Sequence, residues 1–557
     1  MNKLNLMWIS EVIGEDWKQW QKGDMVEILG QTGTGKTNFI KKLIRKKVFA
    51  KVLYLCNRID LKRQVKKDLI EIEEGITDVT LEELDKRVRI GNVVVTSYHA
   101  VANNKLNVDF LDENNIDIDD FDYIICDECH FFRSDSSFNN RTHLAFECLL
   151  EQPHYNSVVI FISATIGNLD KDIRQLNKKM NESGGRAEFE VDGSINVRPY
   201  KIFSYDTNRD YSYIDYRIFK NLSDIVTLIK NDKSEEKWII FVRKKDDGLL
   251  LQNELGDLCS FNFAGSDNEE TENVINNSKF NKKVFITTKA MDNGVNFKDT
   301  DVKNVVLMAT DEVTFLQELG RIRINIQDAR EIKLYLKMQD KRMFYGLRTS
   351  IYDKLRYKIG GQDENDYMWE EFYNDEYEEF KKYCSHNNFN RKLFYTTNDG
   401  NYKLNTLYRD FAEEQMKAYK YIEELFDATK GDRDEQFAFI KIQLDWLGLK
   451  IDIDEMEERL IIDVASNEEV NSLKQYLDSL VGQKLFKEEQ QELSNKIIKE
   501  LVTIKTKTDY RTKILKPTTI ENILRNDLNL EYIISNSKRE TKGTNKGKRY
   551  IEIFRVL

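Results

Sequence analysis

The sequence predicts an α/β protein: two tandem parallel-sheet domains followed by a mostly helical C-terminal region. Three observations predict it. Short apolar runs that read as buried strands alternate with helical stretches through two consecutive blocks, the pattern of parallel sheets with helical crossovers. One early run, MVEILGQTGTGKT at 25–37, passes through a glycine-rich turn straight into the helical stretch NFIKKLIRKK. Only Pro153, Pro199 and Pro517 interrupt 557 residues, so helices and strands run with few breaks. The expected divisions are 1–197, 198–340, a helical region at 341–510 and a distinct basic segment at 511–557.

In the first block, Met25, Val26, Ile28 and Leu29 form a short buried strand, and Gly30-x-x-x-x-Gly35-Lys36-Thr37 follows it. A P-loop needs this setting: glycines let backbone N–H groups turn around a phosphate, and the helix N-terminus adds its positive end. Gly30, Thr32, Gly33, Thr34 and Gly35 are therefore expected to cradle nucleotide phosphates. Lys36 is expected to reach the β- and γ-phosphates, and the Thr37 hydroxyl to ligate Mg²⁺. KVLYLCNRIDLKRQVKKDL (51–69) reads as strand, turn and basic helix, and NVVVTSYHAV (92–101) as strand plus loop. YIICDECHFF (123–132) is an apolar strand ending in acids. A P-loop NTPase keeps an acid at the end of a neighbouring strand, so Asp127 is expected to hold the metal with Thr37. Glu128 then stands to polarise the attacking water, and His130 to link the nucleotide to the next motif. That motif, VVIFISAT (158–165), is a further buried strand ending in Ser163-Ala164-Thr165.

The second block repeats strand-then-turn in WIIFVRKKDDGLLLQNEL (238–255) and KVFITT (283–288). TTKAMDNGVNF (287–297) and LQELGRIRI (316–324) follow.

Composition removes competing readings. Hydrophobic content of 40% with 32% charged residues suits a globular chain. The net charge of −11 means nucleic acid is not attracted by the protein as a whole, so such binding needs a local basic surface. No apolar run approaches ~20 residues, and MNKLNLMWISEV lacks a signal peptide's uninterrupted apolar core. A cytoplasmic protein with no membrane span is expected. Cys126-Asp127-Glu128-Cys129-His130 also fits C-x-x-C-H, the spacing for covalent haem, but that chemistry requires export. Structural zinc usually wants a second cysteine pair, and Cys384-x-His386 is lone and distant. The six cysteines read as reduced, buried thiols.

In this order the chain resembles the superfamily-two helicases and nucleic-acid translocases of the DExH kind, over roughly residues 20–335. GQTGTGKT looks like motif I, NRIDLKRQ motif Ia, TSYHA motif Ib, DECH motif II and SAT motif III. TTKAMDNGVNF looks like motif V, and Gln317-x-x-Gly320-Arg321-x-Arg323 motif VI. The resemblance implies two RecA-like domains with ATP in the cleft between them. Lys36, Thr37, Asp127 and Glu128 would bind and hydrolyse ATP·Mg²⁺ from the first, and Gln317, Arg321 and Arg323 would reach across from the second. Gly294 and Asn296 would approach the nucleotide, and His130, Ser163 and Thr165 would couple hydrolysis to movement. Arg58, Thr96, Ser97, Arg243, Thr287 and Thr288 would line the sugar–phosphate track, with DNA favoured over RNA.

Three positions depart from the family pattern. Ile324 stands where a second motif VI arginine often sits, which makes Arg321 the safer arginine finger. Asn296 replaces the acid that often holds ribose. Ile13 stands where an adenine-reading glutamine would be, so adenine recognition is unplaced; Trp17 and Trp20 are near enough in sequence to stack a base but suit core packing better.

Beyond residue 340 the resemblance fades. Tyr373, Tyr377, Phe380 and Cys384 share one helical face in DENDYMWEEFYNDEYEEF and its continuation. Packing on neighbours is the plain reading of this face, and a partner-binding or DNA-mimicking surface the alternative. Residues 402–510 read as mostly helical, with QLDWLGL (443–449) a packed segment. KPTTIENILRNDL suggests a helix capped at Thr518 with Glu521 three residues later. SKRETKGTNKGKR and RYIEIFRV read as a basic hairpin loop and its return strand, that is, a winged-helix module; a solvated basic tail fits equally. In the winged reading Lys538, Arg539, Lys542, Lys546, Lys548 and Arg549 touch duplex phosphates. The excess of Asn, Lys and Ile suggests an AT-rich genome, and a motor joined to a duplex anchor suits replication or repair of a phage or mobile element. A non-unwinding translocase or switch serving a nuclease or defence partner carries the same motifs.

Overall fold

Val- and Ile-rich runs that are apolar at every position have no solvent face, so they settle in the middle of a sheet covered by helices on both sides. In the computed structural model the first block does this with β1 (Met25–Leu29), β2 (Val52–Cys56), β3 (Arg89–Ile90), β4 (Val93–Ser97), β5 (Tyr123–Asp127) and β6 (Val158–Ser163). The structure describes residues 3–105, 118–136, 139, 142–165, 167, 169–264, 266, 269–288, 296–357, 367–397, 399–461, 466–504, 514–524, 530 and 532–555. An exposed hairpin of β7 (Ala187–Val191) and β8 (Ser194–Arg198) precedes β9 (Ile202–Asp206). The sheet order is β3-β4-β2-β5-β6-β1-β9, parallel except for β3 against β4. β9 pairs with β1 from Met25↔Ile202 to Leu29↔Asp206. The first lobe therefore runs to about residue 206, past the expected boundary at 197. After β4 the chain forms the helix Tyr98–Lys105 where a loop was expected.

The second sheet contains β10 (Ile214–Phe219), β11 (Lys237–Phe241), β12 (Cys259–Asn262), β13 (Val284–Thr287), β14 (Val302–Leu307) and β15 (Ile332–Lys337), all parallel, in the order β10-β15-β14-β11-β13-β12. Its β10 edge is covered by chain from far downstream: Ile218 N–H donates to Arg459 O at 3.0 Å, and Ile461 N–H donates to Ile218 O at 2.8 Å. Covering an edge strand removes its unpaired backbone groups from water. Leu444 and Leu447 of QLDWLGL bury themselves in this lobe's core beside Phe315.

The N-terminal segment ties the lobes together. Leu4 and Leu6 lie in the second lobe's core, with Leu4 N–H bonded to Ile326 O at 3.0 Å. Ile9 and Ile13 lie in the first lobe's core, with Ile9 N–H bonded to Thr34 O at 3.0 Å. Trp20 is buried and donates Nε1–H to the Tyr205 hydroxyl, a packing role.

The C-terminal third is mainly helical, with short hairpins such as Phe394–Thr396 against Tyr402–Leu404. The single helix expected through Tyr373 to Cys384 is broken at Glu376 into Trp369–Asp375 and Tyr377–His386, but Phe380 and Cys384 are buried and Tyr373 and Tyr377 pack on them. Helices Ser466–Leu480, Lys487–Ile504 and Pro517–Asn522 share one core with the hairpin Tyr532–Ile534/Ile553–Arg555: Leu477, Leu493, Ile497, Ile520, Tyr532 and Ile553 meet there. This module begins near residue 466, well before the expected 511. Its short helix starts with Pro517 in the first turn and Lys516 at the cap, with no side-chain cap from Thr518; Glu521 instead accepts from Ile534 N–H.

Candidate active site

In a parallel sheet the carboxyl ends of the strands all open on one edge, where loops and helix N-termini converge. β5, β6 and β1 are neighbours, so the three motifs that follow them meet at that edge. Leu29 is in register with Ser163, and Asp127 with Ile162.

The P-loop leaves β1 and closes on the helix Lys36–Lys46. Gly35 caps that helix at φ 81°, and the Trp8 ring lies against it: a Cβ at this position would sit 3.0 Å from the indole. Glycine is needed here on both counts. The Thr34 hydroxyl donates to Gln31 O at 2.8 Å and braces the loop. Lys36 Nζ donates to the carbonyls of Gly30 at 2.5 Å and Gln31 at 3.2 Å, which holds it at the mouth of the cradle. Burial lowers the Lys36 pKa, opposed mainly by Glu128.

Asp127 is buried at the end of β5, where its Oδ2 accepts from the Tyr54 hydroxyl at 2.7 Å and its backbone carbonyl from the Tyr98 hydroxyl at 2.8 Å. Burial and the adjacent Glu128 charge push the Asp127 carboxyl up, while Tyr54 and Lys36 pull the other way. Glu128 has φ 52°, a conformation that costs a non-glycine residue about 1 kcal/mol or more. Burial disfavours its charge, but His130, Lys36 and Arg321 outweigh that and hold the carboxyl below the ordinary glutamate range. His130 Nδ1 lies 3.3 Å from Glu128 Oε2 and 3.1 Å from Ser163 Oγ. Ser163 Oγ in turn donates to Thr165 O at 2.9 Å and accepts from Thr165 N–H at 3.0 Å. His130, Ser163 and Thr165 thus make a continuous polar path from Glu128 to the strand end of β6.

The second lobe meets this edge through the helix Glu312–Gly320 and the residues after it. Gly320 is so close to the P-loop that a Cβ there would come within 2.5 Å of Thr32 Oγ1. Arg321 acts on Glu128, and Arg323 on both Lys36 and Glu128. Burial and the neighbouring Arg321 push Arg323 down to about 10, so it stays charged at neutral pH. Phe297 N–H donates to Arg321 O at 2.8 Å and Arg323 N–H to Phe297 O at 3.0 Å, which locks motif V to motif VI. Among the described residues, Gln317 Nε2 and Asn296 Oδ1 are buried without hydrogen-bond partners. Gly294 lies outside the described residues.

Both lobes line one cavity of about 1570 Å³ that holds Lys36, Thr37, Asp127, Glu128, Gln317, Arg321 and Arg323. Trp8 lines it too; a lone tryptophan in an N-terminal stretch gave the sequence reading no signal for that position. The expected nucleic-acid residues divide. Arg58, Arg243 and Thr288 line the cavity. Thr96 and Ser97 are half-buried at the end of β4, outside its lining, and Ser97 Oγ accepts from Ala100 N–H as a helix cap. Thr287 is fully buried with its hydroxyl on Thr288 O.

The donor set suits Mg²⁺: a buried carboxylate and a threonine hydroxyl are hard oxygen ligands that leave room for phosphate oxygens and waters. Cys126 and Cys129 are fully buried in an apolar core, and burial raises both thiols, which disfavours the thiolate a haem or zinc link requires. Of the C-terminal cations, Lys538 pairs with Glu552 at 2.8 Å and Lys548 bonds Asn545 at 2.9 Å, while Arg539, Lys546 and Arg549 are exposed.

Residues 8–167 match the family model described as Type III restriction enzyme, res subunit. No curated protein matches the chain. Among solved structures, S. cerevisiae Dbp5 bound to RNA and ADP BeF3 overlaps at 17% identity and TM-score 0.40, over 61% of this chain and 89% of that one. Mycobacterium smegmatis helicase Lhr bound to ssDNA and AMP-PNP overlaps at 15% identity and TM-score 0.41, over 62% of this chain and 46% of that one. A DEAD box protein from Methanococcus jannaschii overlaps at 17% identity and TM-score 0.34, over 62% and 89%. The family match covers under a third of the chain, all of it within the first lobe. Among the described residues no helix is long and apolar enough to cross a membrane.

Proposed function

We propose that the chain is an ATP-driven motor of the DExH kind that moves along nucleic acid, DNA in preference to RNA, and separates duplex strands. One observation carries this reading: the P-loop and Asp127–Glu128 of one lobe share a single cavity with Gln317, Arg321 and Arg323 of the other. Lys36 and the P-loop amides hold the triphosphate. Thr37 and the Asp127 carboxylate would hold Mg²⁺, which when bound would neutralise phosphate charge. Glu128 orients water and accepts its proton at the carboxylate, and Arg321 and Arg323 stabilise the charge that develops on the transferred phosphoryl group. An arginine supplied across a cleft is worth ~10³–10⁵ in rate. Hydrolysis then requires closed lobes, and the path through His130, Ser163 and Thr165 passes the change to the strand-facing edge. Trp8, against the P-loop, supplies a flat wall for the base. The C-terminal module, three helices and a basic hairpin, fits a winged helix that grips duplex phosphates.

The test is ATPase activity across single-stranded, duplex and forked DNA and RNA. At least tenfold stimulation by single strands is expected; no stimulation by any of them defeats the proposal. A second reading is favoured by the restriction-enzyme description of the matched family: a translocase that serves a nuclease partner and never separates strands. Strand-displacement assays run beside translocation assays tell the two apart.

A further inference from the structure

The helix Thr406–Ala428 belongs to neither lobe yet reaches both. Near its start, Leu407 is buried in the first lobe's core, and Glu414 lies 3.7 Å from Arg133. Toward its end, the Tyr419 side chain hydrogen-bonds Thr310 of the second lobe, and Tyr419, Ile422 and Phe426 pack with Phe344 and Phe439 of the helical region, where Asp427 pairs with Lys341. Twenty-three residues at ~1.5 Å rise give a rod of roughly 34 Å, long enough to span the cleft.

Between its anchored ends the helix turns one face to the cavity. Phe411, Glu414, Gln415 and Ala418 fall at i, i+3, i+4 and i+7 and line the same space as Arg58, Arg243 and Thr288. Each of these is only partly buried or exposed. Among the described residues Phe411 makes no ring contact and the Gln415 amide has no hydrogen-bond partner. In the same lining, among the described residues, the buried Nε of Arg58 is unpartnered and Arg243 forms no ion pair. Glu414 is answered by Arg133, and Asp311 lines the cavity too. Cations together with an unused ring and amide match a single strand, with phosphates on the arginines and bases on the helix.

We propose that this helix is the third wall of the nucleic-acid path, with Phe411 stacking a base and Gln415 hydrogen-bonding base edges. The strand is then enclosed on three sides, and the stacked ring confines the site to unpaired bases. The inference rests on the motor reading above. The helix is also a strut, but a strut alone gives no reason for an unpacked ring in the cavity that Arg58 and Arg243 line.

The experiment measures ATPase of the full chain against oligothymidylate and oligouridylate of about 20 nucleotides. Phe411→Ala is expected to raise the half-saturating concentration roughly tenfold, in line with the loss of one stacked base, and Gln415→Ala about threefold. Phe411→Trp is expected to restore affinity. A benzophenone side chain at 411 is expected to crosslink to the bound oligonucleotide, which gives a readout independent of Phe411→Ala folding. Wild-type stimulation with an unchanged half-saturating concentration for Phe411→Ala and no crosslink at 411 overturns the third wall and leaves the motor standing. Absence of stimulation in the wild type removes both.

Discussion

Glu128 is where local geometry and chemistry press hardest on one side chain. Its left-handed backbone is tolerated because the turn after β5 aims the carboxylate into the cavity, and the surrounding cations keep it ionised to receive a proton. Glu128→Gln keeps shape and packing but cannot accept that proton. Hydrolysis should fall ~10²–10⁴-fold, the usual worth of a positioned general base, while nucleotide affinity stays within about threefold; single-turnover hydrolysis beside a fluorescent-nucleotide titration checks both. Tyr54 tests the other acid. Its hydroxyl fixes Asp127 at 2.7 Å, and a hydrogen bond to a charged group is worth about 1.5–3 kcal/mol. Tyr54→Phe should raise the Mg²⁺ concentration needed for half-maximal ATPase by roughly tenfold and leave the maximal rate at saturating Mg²⁺ nearly unchanged.

Single elements were the most legible part of this chain, because their signals are local. The P-loop, the apolar run ending in Asp127-Glu128 and the Ser163–Thr165 strand end each announce themselves within about a dozen residues, and each lies where the periodicity puts it. What failed to show depends on contacts, several of them long-range, that only the folded chain makes. β9 carries no motif, and only its pairing with β1 assigns it to the first lobe. Thr287 reads as the opening of a motif, yet its hydroxyl turns back to Thr288 O. Nothing in the sequence around Tyr54 and Tyr98 indicates their bonds to Asp127. The contact between the helix Glu312–Gly320 and the P-loop is of this long-range kind, and it is testable. Gly320→Ala places a methyl 2.5 Å from Thr32 Oγ1, so the loop and the helix cannot seat together without a shift. ATPase stimulated by nucleic acid should drop at least tenfold while the far-ultraviolet spectrum and the melting temperature stay at wild-type values, since the strain appears only where the lobes meet.

At the scale of the whole molecule the puzzle is charge. A chain of net charge −11 repels nucleic acid at long range, so attraction must come from a few cations inside a shielded groove. Among the described residues Arg58 and Arg243 line the cavity without an ion pair, as do Lys298 and Arg330, while Arg133 is engaged by Asp172 at 2.8 Å. Sequence alone could name Arg58 and Arg243 as candidates but could not separate them from paired arginines, because pairing is a property of the folded whole. Each phosphate contact on a single strand contributes about −0.7 to the slope of log affinity against log salt. The wild type should therefore show a shallow slope for single strands, roughly −1.5 to −2 once helix N-termini and the Thr288 hydroxyl are allowed for. Arg243→Ala should flatten it by about 0.7 and weaken oligothymidylate and oligouridylate alike, since a phosphate contact carries no base information. Removing the exposed Arg539, Lys546 and Arg549 together should leave that single-strand slope alone and flatten the slope for duplex. Fluorescence anisotropy from 25 to 250 mM salt measures all of these slopes. A wild-type slope steeper than about −5 would require many more cations than the groove presents, and would place the strand on a different surface.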